Sequence, residues 1–271
     1  MKFDSNLAWK QATSSIAANR EVLLALSGVF FLLPSLAFAL FFPSPEPAPG
    51  QSEQQVMALM QAYYLGAMPV LIPMALVQAA GTLALLTLFT DKSRPTVGEA
   101  IRRGVTGMPS YFAAQILLGI GIGVLGGVAL GLGAVTGVQA VVGLMLAAVV
   151  LAAIYAAIKT SLVAPIIAVE GVLNPVAALQ RSWRLTKGNS VRIGMFYALL
   201  LMAMAAVMLI IMMIVGVVLA AVAGAETAKV IGAVISSALG ATATLYLVAV
   251  MAAVHRQLAG PSPEKLSAPF E

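Results

Sequence analysis

Long apolar stretches, separated by short polar connectors, recur along almost the whole chain. A helical residue rises about 1.5 Å and the hydrocarbon core of a bilayer is about 30 Å thick, so about 20 apolar residues are enough to cross it. Six stretches reach that length, and we predict membrane spans at residues 22–42, 65–90, 111–135, 138–158, 193–223 and 230–254. A continuation of the fourth span to residue 169 stays open.

Composition points to the same class of protein. Hydrophobic residues make up 61% of the 271 residues and charged residues only 9%, whereas soluble domains carry about 25% charged residues. The mean hydropathy is +1.00. These values exclude a water-soluble protein and predict an all-α polytopic membrane protein, with a six-helix membrane domain over residues 21–258.

A cleaved signal peptide is the alternative interpretation of the first span. Ala37-Phe38-Ala39 is similar to a small-residue cleavage site. The apolar run continues through Phe41 and Phe42, beyond that site. This continuation favours a span that is retained.

Lysine and arginine are distributed unevenly between the two sides of the predicted bundle. Only Lys229 of the fifteen basic residues falls in a connector on one side, while fourteen fall on the other side. Cytoplasmic loops of membrane proteins hold the excess of basic residues. We therefore predict a multi-pass membrane protein with both termini in the cytoplasm.

The segments on the predicted cytoplasmic side are not plain loops. Each contains a capping residue, Asp4, Thr96 or Asn174, followed by apolar residues at helical spacing. We predict three interfacial amphipathic helices, at residues 1–20, 96–107 and 174–187, and a flexible cytoplasmic tail at 259–271.

The three caps also suggest an internal repeat. An alanine lies four residues after each cap, a large apolar residue follows it directly, and a small residue comes three positions later. The three sets are Ala8, Trp9 and Ala12; Ala100, Ile101 and Gly104; and Ala178, Leu179 and Ser182. Three units, each an interfacial helix plus a two-span hairpin, would give this pattern. The simpler alternative is that basic amphipathic helices resemble one another.

One part of the chain resembles a known family. Pro165-Ile-Ile-Ala-Val-Glu170-Gly171, followed by Asn174-Pro-Val-Ala-Ala-Leu-Gln-Arg-Ser-Trp-Arg-Leu-Thr-Lys-Gly188, resembles the signature of the bacterial glycerophosphoryl diester phosphodiesterase membrane-domain family and the related YciC-type inner-membrane proteins. The resemblance implies a location in the bacterial inner membrane, and a membrane region that some members fuse to a soluble phosphodiesterase barrel and that others carry alone. Because such a barrel needs about 250 residues, the resemblance implies no phosphodiesterase activity for this chain.

Groups that could perform catalysis are scarce in the sequence. The chain has no cysteine and a single histidine, His255, which lies at the border of the last predicted span. Neither a GxxxxGK[ST] phosphate loop nor an HExxH motif occurs. We therefore expect no enzyme activity, no cofactor and no metal site.

The candidate binding residues lie mainly in the predicted interfacial helices. A net charge of +5 would suit nucleic acid, but the basic residues flank apolar spans rather than alternate with aromatic residues, so anionic lipid headgroups are the expected partner. We predict headgroup contacts for Arg102, Arg103, Arg181, Trp183, Arg184 and Lys187.

Two charged residues and two rows of small residues complete the candidate set. We predict that Glu170 forms an ion pair with Lys159, Arg181 or Arg184, with a polar ligand site as the alternative, and that Lys159 reaches the headgroups or binds a phosphate. Small residues at four-residue spacing let helix backbones approach. We expect two such rows to lie in helix interfaces: Gly119, Gly123, Gly127 and Gly131, and Gly232, Ser236 and Gly240.

The leading hypothesis from the sequence is a noncatalytic membrane protein that organises membrane lipid or serves as a scaffold. The alternative is a membrane subunit of a transporter with a separate ATPase, because Glu99-Ala-Ile-Arg-Arg-Gly104 is similar to a permease coupling motif. A third hypothesis, an accessory of a separate phosphodiesterase, depends on the family resemblance alone. Any protein partner stays unidentified.

Overall fold

The computed structural model describes residues 2–90 and 95–260, and every regular element in this part of the chain is a helix. The elements are α1 (Ser5–Ala18), α2 (Arg20–Ser27), a π-helical turn (Gly28–Leu32), α3 (Leu33–Phe41), α4 (Glu53–Thr90), α5 (Val97–Val135), α6 (Gln139–Thr160), α7 (Val163–Glu170), α8 (Pro175–Leu185), α9 (Ser190–Val222) and α10 (Ala225–Ala259). The predicted tail lies outside the described residues from 261 onward.

Six helical segments in the described part are long and apolar enough to cross a membrane, which confirms an all-α polytopic membrane protein. Span 1 consists of α2, the π-helical turn and α3; span 2 is α4, span 3 is α5, span 4 is α6 with α7, span 5 is α9 and span 6 is α10. Consecutive spans form three hairpins, 1–2, 3–4 and 5–6.

Span 2 begins earlier than the sequence pattern predicts, at Glu53 rather than residue 65. The backbone N–H of Ser52 donates to Gln55 Oε1 at 2.9 Å, and the N–H of Gln55 donates to Ser52 Oγ at 3.4 Å. This reciprocal capping satisfies two N–H groups that a helix start leaves without partners. Hydropathy alone missed these first turns because they are polar.

One end of the bundle, here called the basic end, gathers both described chain ends and the connections between hairpins. Gln257 Nε2 donates to the carbonyl of Asp4 at 3.2 Å, and Arg256 Nη1 donates to the carbonyl of Phe89 at 3.4 Å. Basic residues of α5 and α8 lie there, whereas Lys229 lies near the start of α10, toward the other end.

The core of the molecule lies at the basic end. There α4, α7 and α10, which complete the three hairpins, contact one another in every pairing. Their buried side chains form a packed layer, here called the plug: Leu83, Leu86, Ile166, Ile167, Leu245 and Val248. The plug fills the centre of the basic end with apolar side chains.

The three interfacial segments occupy matching places around the plug. Asp4, Thr96 and Asn174 each accept a hydrogen bond from the backbone of the first helical turn, as their sequence positions predict. The α1 helix packs on α10, the start of α5 packs on α4, and α8 packs on α7. Each segment therefore covers the last helix of the preceding hairpin, and α1 closes the ring against the last hairpin.

Two predicted boundaries differ from the structure. The segment 96–107 is not a separate helix, because α5 runs without a break from Val97 through Pro109 to Val135. Packing of its first turns on α4 compensates for the hydrogen bond that a proline removes. Span 4 does extend beyond 158, but it breaks at Ser161 and Leu162, before Pro165.

Candidate functional site

The exposed face of the basic end carries most of the basic residues predicted to contact lipid. Arg102 and Arg103 are exposed on α5, and Arg184 and Lys187 are exposed on and just after α8. On α8 the opposite face is buried through Ala178 and Ser182. An amphipathic helix with this arrangement presents its positive charges to the surface of the molecule.

Arg181 is placed differently from the other basic residues, because it binds Glu170. Arg181 Nε donates to Glu170 Oε2 at 2.9 Å, and Nη2 donates to Oε1 at 3.4 Å. Glu170 is the last residue of α7, and Gly171 ends this helix with a left-handed φ of 69°. The turn after α7 brings α8 back along it, and the two side chains meet.

His255 is the second partner of Glu170, and the sequence did not reveal this contact. His255 Nε2 lies 3.0 Å from Glu170 Oε1, and only 4% of the histidine is exposed. The two residues are 85 positions apart on α7 and α10, so no local pattern connects them. Glu170 thus joins α7, α8 and α10.

Lys159 is not a partner of Glu170, and it does not reach the surface as predicted. Only 4% of the residue is exposed, and its Nζ lies 5.6 Å from the Tyr155 ring centroid and 5.4 Å from that of Trp183. Such distances are typical of cation–π contacts. Its burial follows from span 4, which continues past it into α7 and lies beneath α8.

The break between α6 and α7 is held by Ser182 of α8. Ser182 Oγ donates to the carbonyl of Lys159 at 2.8 Å and accepts from the N–H of Leu162 at 3.2 Å. A helix break leaves backbone groups without helical partners, which is costly in an apolar environment. This serine satisfies one such carbonyl and one such N–H, and its own exposure is 0%.

A groove runs along hairpin 3–4 below α8. Its volume is about 420 Å³ and its walls are mostly apolar, formed by Leu117, Ile122 and Leu125 of α5 and Ala152 and Ala156 of α6, with Trp183 and Leu179 of α8 at the basic end. Trp183 also contacts Tyr155 edge-on at 5.7 Å. The groove therefore has α8 as its roof.

A second groove repeats this arrangement on hairpin 5–6. It has a volume of about 270 Å³ between α9 and α10, with Trp9 of α1 at the basic end. Trp9 stacks on Tyr246 with ring centroids 5.9 Å apart. At both grooves a tryptophan of an interfacial helix pairs with a tyrosine of a span. The residue after each tryptophan is an exposed basic residue, Arg184 after Trp183 and Lys10 after Trp9.

The predicted glycine row on α5 does not lie in an interface within the chain. Gly119, Gly123, Gly127 and Gly131 are exposed, and an added Cβ would meet no atom within 4 Å. The face of α5 that meets α6 carries Gly126, Ala129 and Gly133 instead. A strict four-residue spacing drifts around a helix of 3.6 residues per turn, whereas spacings of three and four alternate along one face.

The row on α10 is also less tightly packed than predicted. Gly232, Ser236 and Gly240 are half-buried, an added Cβ at either glycine would meet no atom within 4 Å, and Ser236 Oγ bonds its own helix at Ala233. Tight glycine contacts occur elsewhere: Gly81 against Phe30, Gly104 against Ala80, Gly107 against Ile167 and Gly194 against Ile158. These four positions form no regular row, so sequence spacing did not reveal them.

Comparison with other proteins adds no assignment. No family model, curated protein or solved structure matches this chain. Within residues 2–90 and 95–260, no three acidic or histidine side chains come close enough to hold a metal ion. The observed geometry offers basic and aromatic groups at one end of the bundle and apolar grooves beside them.

Proposed function

We propose that this chain is a noncatalytic inner-membrane protein that holds anionic phospholipid, with its basic end in the cytoplasm. The observation that carries the proposal is the groove beneath α8. Its apolar walls suit an acyl chain, Trp183 lies where groove and surface meet, and Arg184 and Lys187 are exposed next to it. A negatively charged headgroup at this place would contact both cations.

The expected strength of this interaction comes mainly from charge. An exposed lysine or arginine near an anionic membrane surface contributes about 1 kcal/mol, which is roughly fivefold in affinity. An acyl chain in the groove would make van der Waals contacts along its length. It would also fill space between the helices that would otherwise stay empty. Tryptophan favours the headgroup level because its ring is apolar and its N–H is polar.

The transporter hypothesis is less well supported by the segment that suggested it. Within Glu99–Gly104, Glu99 forms a capping box with Thr96, and Ala100 and Gly104 are buried against α4. The exposed residues of this docked segment are Glu99, which is engaged in the capping box, and Arg102 and Arg103. Membership of the glycerophosphoryl diester phosphodiesterase membrane-domain family, and an accessory role beside such an enzyme, stay proposals that depend on the motif at residues 165–188.

The proposal is tested by lipid binding to the purified chain. Native mass spectrometry would count phosphatidylglycerol and phosphatidylcholine bound by the original chain and by the double variant Arg184→Gln/Lys187→Gln. We expect preferential binding of phosphatidylglycerol, weakened between about fivefold and 30-fold in the double variant because about 1 kcal/mol is lost per cation.

Lys229→Gln is the matched control, because Lys229 is basic, 71% exposed and near the start of α10, toward the other end. It should leave phosphatidylglycerol binding unchanged. Equal binding of both lipids by the original chain, or an equal loss in the control, would contradict the proposal.

A further inference from the structure

Two adjoining cavities lie inside the bundle, the first beyond the plug and the second beside it. One, of about 510 Å³, is lined by spans 1, 2, 3 and 6; the other, of about 480 Å³, is lined by spans 3, 4, 5 and 6. Tyr111 and Gln115 of α5 line both. Together the cavities are therefore bounded by all six spans, whereas the lipid grooves each involve one hairpin and an interfacial helix.

The first cavity concentrates polar groups at a depth where polar groups are rare. Ser35, Gln78, Thr82, Tyr111, Gln115 and Thr244 line it, and none of the residues that line either cavity is charged. Phe31 and Phe112 supply apolar wall beside these groups. Polar residues inside a membrane bundle are costly unless they pair or bind something, so their convergence from four spans indicates a binding function.

The two glutamines have hydrogen-bonding capacity that their neighbours barely use. Gln78 Nε2 donates to Ser35 Oγ at 3.4 Å, and Gln115 Nε2 donates to Tyr111 Oη at 3.3 Å, both near the long limit for a hydrogen bond. Each amide has two N–H donors and a carbonyl with two lone pairs. Both side chains line the first cavity, so a ligand oxygen or hydroxyl there could use the remaining capacity.

The packing of the bundle leaves the cavities a route of access from the bilayer. The plug, with its buried apolar side chains, separates the first cavity from the basic end. Few side chains of α6 and α9 are buried, and the structure describes both helices in full. Lys159 is the one buried residue of α6, and Ile193 and Leu200, both near the basic end, are the two of α9. Lipid can therefore approach the cavities between hairpins 3–4 and 5–6.

We propose that the central cavities bind an uncharged lipid whose hydroxyl or carbonyl head is held by Gln78, Gln115 and Tyr111. An anionic headgroup is disfavoured there, since none of the lining residues carries a positive charge. A lipid with a neutral oxygen-bearing head and a long apolar body matches both the polar groups and the lateral access. Diacylglycerols, polyprenols and quinones share this chemistry.

The test measures neutral lipid bound to the full chain. Mass spectrometry would quantify neutral lipid that copurifies with the chain and with Gln78→Leu/Gln115→Leu, and each purified protein would then be titrated separately with a diacylglycerol, a polyprenol and a quinone. We expect one of the three probes to bind saturably to the original chain, with affinity about tenfold lower in the double variant, because two hydrogen bonds are lost.

Two further variants keep the result interpretable. Gln54→Leu/Gln139→Leu removes two exposed glutamines outside the cavities and should bind the probe as the original chain does. Gly240→Leu fills the first cavity, since an added Cβ at Gly240 meets no atom within 4 Å. It should displace the probe without removing a polar group, even if the glutamine variant fails to fold.

The outcome also separates this site from the proposed anionic lipid site. Arg184→Gln/Lys187→Gln should retain the neutral probe, and Gln78→Leu/Gln115→Leu should retain phosphatidylglycerol. Binding of none of the three neutral probes, or binding that Gly240→Leu leaves unchanged, would overturn the inference.

Discussion

At the scale of single residues, charged side chains connect helices as well as face the surroundings. The carboxylate of Glu170 accepts from Arg181 and lies against His255, so one side chain connects helices from hairpins 3–4 and 5–6. The side chain of Glu170 is 22% exposed, so water reaches its charge only in part and the charge-assisted hydrogen bonds to its partners stabilise it further. The cluster therefore has a structural explanation that needs no ligand.

Replacing this carboxylate tests that explanation. Glu170→Gln keeps the shape of the side chain and removes its charge, so it should lower the free energy of unfolding by about 2 kcal/mol, the value of hydrogen bonds to a charged group. The melting temperature in detergent measures the change.

Glu226→Gln is the control, because Glu226 is 91% exposed and its contact with Lys229 is 3.9 Å long. Exposed pairs contribute between about 0 and 1 kcal/mol, so this variant should melt close to the original chain. Similar melting of both variants would show that the Glu170 cluster is not a structural joint.

Close helix contacts at single glycines give a second prediction at this scale. An added Cβ at Gly104 would collide with the carbonyl oxygen of Ala80 and contact Ala84, both on α4. Gly104→Ala should therefore force α4 and α5 apart and destabilise the protein by about 1–3 kcal/mol.

Gly123→Ala on the same helix is the matched control, because the space around Gly123 is open. It should leave the melting temperature unchanged or raise it slightly, since alanine favours helix more than glycine does. Equal destabilisation by both substitutions would contradict the prediction, because Gly123 has no close neighbour that an added methyl group could displace.

At the scale of the elements, the sequence revealed how helices begin better than where they pack. Asp4, Thr96 and Asn174 were predicted as caps, and all three accept the expected backbone hydrogen bonds, because capping depends on residues within one turn. The fusion of the second interfacial segment with span 3 was missed, since its stability comes from packing on α4. The glycine contacts were missed for the same reason.

The matching burial of three alanines makes the threefold pattern testable. Ala8, Ala100 and Ala178 each follow a cap by four residues, and each is 0% exposed. Leucine at any of the three should push its segment away from the last helix of the preceding hairpin and destabilise the protein by about 1–3 kcal/mol. Melting temperatures of the three single variants measure this effect.

Ala17→Leu is the control on α1, where Ala17 is exposed, and it should have little effect. Tolerance of leucine at one of the three buried positions would show that the segments do not dock equivalently, and the pattern would then be a coincidence of amphipathic helices.

At the scale of the whole molecule, the number of spans follows from sequence, but the joining of the hairpins does not. Apolar length predicts six spans because hydrocarbon thickness sets a minimum for each, and six helices of that kind are present in the described residues. The contact of α1 with α10, which closes the ring, joins the first and last helices of the described residues. The first cavity was also missed, since Gln78 of α4 and Gln115 of α5 share no local sequence pattern and come together only in the bundle.

The expected orientation of this ring in the membrane can be measured directly, because the chain contains no cysteine. Single cysteines at Gln51 and Glu226 would lie beyond one end of the bundle, and single cysteines at Lys10 and Lys187 at the basic end; all four positions are exposed. If the excess of basic residues places that end in the cytoplasm, an impermeant maleimide added to intact spheroplasts should label the first pair alone. After permeabilisation all four should react, which controls for accessibility. Labelling of Lys10→Cys and Lys187→Cys in intact spheroplasts would show that the topology is the inverse of the one expected. Arg184 and Lys187 would then face the other leaflet, and their proposed contact with cytoplasmic anionic lipid would lose its basis.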